Sequence, residues 1–121
     1  FHVTSPLNVQ SDRVYSLFNL VNLSATAGMQ AENFVWIDKN GTRIQSAATR
    51  FVNPKNTVQF LLSDIFIRSD GVPFFILGGL VEFDVRFLGE NVGGDIDVRQ
   101  IIGLNGDLAA VPMAVKVDVV R

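Results

Sequence analysis

His2 is the only histidine in the chain, and cysteine is absent. Any Ser-His-Asp arrangement would have to use it. It sits in a terminal segment, where mobility is the usual outcome, so the plain reading is an ordinary strand histidine. One imidazole without thiolates is also too small a donor set for a structural zinc or copper site. Without cysteine there are no disulfides, thiolate ligands or cysteine nucleophiles.

The acids offer a different chemistry. Glu90, Asp95 and Asp97 flank Gly93-Gly94, and Asp107 follows the Asn105-Gly106 turn. Carboxylates on a glycine-rich loop suit calcium, although the spacing is not that of an EF-hand. Aspartate is also common in turns because it bonds nearby backbone, so Glu90, Asp95 and Asp97 are weak calcium candidates and no cofactor is expected. Glu82 and Asp84 alternate with apolar residues, which marks a solvated sheet face rather than a glycosidase pair. Gly78-Gly79 lacks the flanking pattern of a phosphate loop and reads as a flexible strand entry.

Period two must position these groups. Val81, Phe83, Val85 and Phe87 alternate with Glu82, Asp84 and Arg86. Successive strand side chains point to opposite faces, so this split describes a half-buried strand. Ile96 and Val98 against Asp97 and Arg99 repeat it, as do Val58, Phe60 and Leu62 around Gln59 and Leu61. At the C-terminal end Val115, Val117 and Val119 are expected inward, with Lys116 and Asp118 outward. Val14–Val21 reads as a central strand, and Phe34–Ile37 as another. Asp38-Lys39-Asn40-Gly41 is a hairpin loop closing onto Thr42–Ser46. Asn53-Pro54 is the next turn. Ser63 is expected to cap one helical turn over Asp64–Ile67.

No long window holds helical period. The pattern predicts one all-β domain spanning residues 1–121: an antiparallel β-sandwich of about seven to nine strands with at most one short helical turn. The length of 121 residues suits a single domain that needs no covalent staple. Phenylalanine dominates the aromatics, with ten Phe against one Trp and one Tyr. Phe has no polar handle, so this balance favours a core over a sugar-stacking platform. A net charge of −2 with scattered basic residues argues against nucleic acid. The Val72–Val81 run is too short to span a bilayer.

Phe1, Val3, Ser5, Leu7 and Val9 alternate with His2, Thr4, Pro6, Asn8 and Gln10. Residues 1–10 therefore read as an extended edge or exchange strand, with Pro6 placing it at an edge because proline cannot donate to a ladder. Phe1, Val3, Leu7 and Val9 are candidate assembly residues. Phe74 and Phe75, in the most apolar cluster, are candidates for the core or a subunit interface. The chain opens on Phe1 rather than Met, which fits a trimmed, secreted product. Asn22-Leu23-Ser24 and Asn40-Gly41-Thr42 are glycosylation sequons.

Four phrases occur in order: Phe18-Asn19-Leu20-Val21-Asn22, Val35-Trp36-Ile37-Asp38-Lys39-Asn40-Gly41, Val58-Gln59-Phe60-Leu61-Leu62-Ser63-Asp64-Ile65-Phe66 and Leu108-Ala109-Ala110-Val111-Pro112. Over residues 14 to 112 they resemble bacterial extracellular immunoglobulin-like sandwich modules of surface and secreted proteins. The resemblance implies a non-enzymatic module for display, adhesion or assembly, extracellular or at the cell surface, with no shared catalytic residues. The expected partners are copies of the chain itself, in an oligomer or filament built through edge strands. The alternative is a recognition module for a glycan or protein, using the loops at Asp38–Gly41 and Glu90–Asp97.

Overall fold

The computed structural model describes residues 1–9, 14–67, 71, 77–88, 95–104, 107–113 and 115–119. Among the described residues the strands are β1 (His2–Val9), β2 (Val14–Asn22), β3 (Met29–Ile37), β4 (Arg43–Ser46), β5 (Arg50–Val52), β6 (Thr57–Leu61), β7 (Leu77–Phe87), β8 (Ile96–Leu104), β9 (Asp107–Met113) and β10 (Lys116–Asp118). One four-residue helix, α1 (Leu62–Ile65), follows β6. The longer strands match the number expected, and three-residue β5 and β10 are added to them.

Every strand pairing among the described residues is antiparallel. One sheet runs β10-β1-β7-β3-β4, with β5 also on β3, and the other runs β6-β2-β8-β9. The chain crosses between sheets after β1, β2, β5, α1, β7 and β9, so both sheets are built from distant parts of the sequence. This is an all-β sandwich.

The core forms because the alternating faces meet. Phe34 on β3 and Phe83 on β7 stack at 5.0 Å between ring centroids, and Phe18 on β2 stacks on Phe60 of β6 at 5.7 Å. Edge-to-face contacts at 5.6–6.0 Å lock the two pairs together across the sheets. Such contacts contribute about 0.5–1.5 kcal/mol each beyond their area. Val81, Phe83 and Val85 are buried as their alternation requires.

β3 starts five residues before the expected strand. A bulge between Glu32 and Val35, with Asn33 at φ 57°, shifts the pattern by one residue. Met29 and Ala31 are buried ahead of it and Phe34 and Trp36 behind it, so the core face changes parity at Asn33.

Three expectations are corrected. β1 is not outermost over its first half: β10 pairs with His2, Thr4 and the residue between them. Val117 and Val119 are 37% and 67% exposed rather than inward, because β10 lies on the rim of its sheet beyond the core. The helical turn starts at Leu62, and no side chain caps it. Burial of Leu62 and Ile65, one turn apart, sets its position rather than the Ser63 hydroxyl.

Candidate functional site

Two features gather polar or exchangeable groups: the N-terminal strand and a cleft on the outer face of its sheet.

β1 is built into the core. Phe1 N–H donates to the Val85 carbonyl at 2.8 Å, and Val85 N–H returns a bond to Phe1 at 2.9 Å. That exchange fixes the ladder. Odd residues bond to β7 and even residues point their backbone groups toward β10. Pro6 therefore loses a donor on the outer side, just past the end of β10, where a ladder bond is not made. Val3 and Leu7 are buried, and Phe1 packs edge-on against Phe87 at 6.2 Å. Val9 is in register with Leu77. Phe74 and Phe75 lie outside the described residues.

The cleft lies on the outer face of this sheet, between β1, β7, β3 and β4. Its volume is about 370 Å³, and its walls include His2, Asn33, Arg43, Gln45, Glu82 and Asp84. Each element presents its polar side chains there because the opposite face is the core. The β3 bulge turns Asn33 toward β7, where its Nδ2 donates to Asp84 Oδ2 at 3.0 Å. His2 Nδ1 lies 2.8 Å from Asp84 Oδ1.

Burial pushes the Asp84 carboxyl up. The hydrogen bonds from His2 and Asn33, with the attraction of the imidazolium, outweigh this and hold it below the usual 3.8. Asp84 is therefore ionised near neutrality, and His2 Nδ1 carries the proton between them.

Two of the three members of a Ser-His-Asp arrangement are thus adjacent, with His2 in a doubly paired strand. The hydroxyl that lines the same cleft is committed elsewhere. Ser46 Oγ donates to the Ile65 carbonyl at 2.6 Å and accepts from Ala48 N–H at 3.1 Å. Activation by a base needs a nucleophile–base hydrogen bond, and Ser46 makes its bonds to backbone instead.

Two of the three calcium candidates lie among the described residues. Asp95 Oδ1 accepts from the Ile96 N–H, Asp97 pairs with Arg99 at 3.1 Å, and Glu90 lies outside the described residues. Among the described residues no group of three or more metal-ligating side chains forms. Gly78-Gly79 stands at the entry to β7. It lies inside β7 at φ 85° and 99°, with the Gly78 carbonyl accepting from Trp36 Nε1 at 3.0 Å. Of the sequons, Asn40 is exposed. Asn22 is buried, donating to the Ala27 and Val52 carbonyls and accepting from Ser24 N–H.

Sequence reasoning missed Asn33 and the cleft. The local signal was the break in alternation between Ala31 and Phe34, which marks a bulge. No family model, curated protein or solved structure matches the chain.

Proposed function

We propose that this domain is a non-catalytic structural and assembly module of an extracellular or cell-surface protein, self-associating by exchange of β1. One observation carries the reading: an N-terminal strand supplies Val3, Ser5 and Leu7 to the core and aligns with β7 from His2 to Val9. The same strand from a second copy makes identical contacts, so exchange keeps the interactions of β1 itself. Concentration then decides between closed monomers and linked copies.

The edges of the sheet that holds β1 favour exchange over side-by-side pairing there. β10 has three residues and carries Lys116, β4 has four and carries Arg43, and Pro6 interrupts the bare half of β1. Short, charged or proline-bearing edges are poor templates for lateral addition. The immunoglobulin-like resemblance over residues 14 to 112 supports display, adhesion or assembly as the setting.

Light scattering across a broad concentration series tests the reading. Oligomers that grow with concentration are expected, and a monomer at every concentration overturns it.

A further inference from the structure

We infer that the cleft beside Asn33 is a binding site for a small, neutral, polyhydroxylated ligand such as one sugar unit. This is independent of strand exchange and concerns the closed monomer.

The charge pattern selects a neutral ligand. The cleft's acids are already matched: Asp84 by His2 at 2.8 Å, and Glu82 by Arg43 at 3.9 Å. Around it, Glu32 pairs with Arg86, and Asp118 with Lys116 at 3.6 Å. An incoming anion or cation would compete with one of these pairs, whereas a hydroxyl need break none.

The unmet hydrogen-bonding capacity selects hydroxyls. Arg43 and Glu82 are too far apart to hydrogen-bond directly, leaving a donor and an acceptor side by side. A hydroxyl both donates and accepts, so one group serves both. The Gln45 amide makes no hydrogen bond among the described residues and adds a donor and an acceptor.

Geometry supports a formed site. Asp84, which holds His2 in place, is bonded through both oxygens, and one donor is Asn33 in the left-handed region at a bulge. Such backbone outliers cluster where side chains are aimed at ligands. A volume near 370 Å³ sits at the small end of ligand pockets. Phe34 lies beneath the cleft but is fully buried, so no aromatic face is offered for stacking. The binding is therefore millimolar.

Amide chemical shifts of the intact domain, titrated with a panel of methyl glycosides to about 50 mM, test the site. Saturable shifts are expected at Asn33–Val35, Arg43–Gln45 and Glu82–Asp84 for at least one glycoside. Gln45→Ala and Glu82→Gln, both at solvent-accessible side chains, are expected to retain the folded spectrum and weaken binding about three- to ten-fold. Shifts that stay linear for every glycoside overturn the proposal. So do variants that bind as well as the parent, or tighter binding of inorganic phosphate at the same amides.

Discussion

Ser5 Oγ donates to Gln100 Oε1 at 2.8 Å across the middle of the sandwich, and both residues are fully buried. Ser5 lies on β1 and Gln100 on β8, so the bond joins the two sheets. A buried polar pair of this kind specifies register. A slip of β1 by one residue places Thr4 or Pro6 on the core face and breaks the bond to the glutamine. Ser5→Ala removes the donor and is expected to destabilise the domain by about 1–3 kcal/mol. Urea unfolding measures this, and an unchanged midpoint would contradict the bond.

Gly79 sits at a close approach of β7 to the end of β3. A Cβ there would lie 2.2 Å from the Ile37 carbonyl oxygen, at φ 99°. Gly71 has a similar φ of 82° but open space around it. Gly71→Ala therefore carries mainly the backbone penalty, about 1 kcal/mol, while Gly79→Ala adds a clash that must displace β3. Thermal unfolding of the two variants should show a much larger loss for Gly79→Ala, and equal losses would refute the close approach.

Asp84 makes the closed form pH-dependent. Its folded-state pKa lies below its ordinary value because the bonds from His2 and Asn33 exceed the opposing effect of burial. A depressed carboxyl stabilises the fold above the ordinary pKa of 3.8, and that stabilisation is lost as pH falls through the folded value. Asp84→Asn should lower the melting temperature near pH 6, with the gap to the parent closing below about pH 4. A gap that persists in acid would rule out the carboxylate as its source.

The two sequons are not equivalent. Asn40 projects from the hairpin loop, whereas Asn22 spends its amide on backbone groups inside the fold. Folded protein exposed to a glycosylating enzyme is expected to carry a glycan at Asn40 alone. Peptide mass spectrometry reads the occupancy, and modification of Asn22 in folded protein would contradict its burial.

The fold was legible where one pattern persisted. Val81, Phe83 and Val85 announce β7 because the strand keeps one core face across its length. The pattern failed where local and global structure diverge. At Asn33 the bulge changes which parity is buried, so a period-two window finds only the half of β3 that follows it. At Val117 and Val119 the alternation is real, but sequence does not say whether a strand covers the core or the rim. The cleft was invisible for a related reason. His2, Asn33, Gln45 and Asp84 are brought together by strand pairing between distant segments, and spacing along the chain carries no trace of it.

Strand exchange is tested most directly by Thr4→Cys with Glu82→Cys. These residues form a non-hydrogen-bonded pair between β1 and β7, the closer of the two antiparallel geometries and within reach of a disulfide. With no native cysteine, no other thiol competes for the new bond, and Thr4→Cys alone and Glu82→Cys alone measure any linkage by collision. Oxidised at high protein concentration and run without reductant, the exchanging domain is expected to give a ladder of covalently linked copies. A single monomer band, with the disulfide formed wholly within each chain, would contradict exchange of β1.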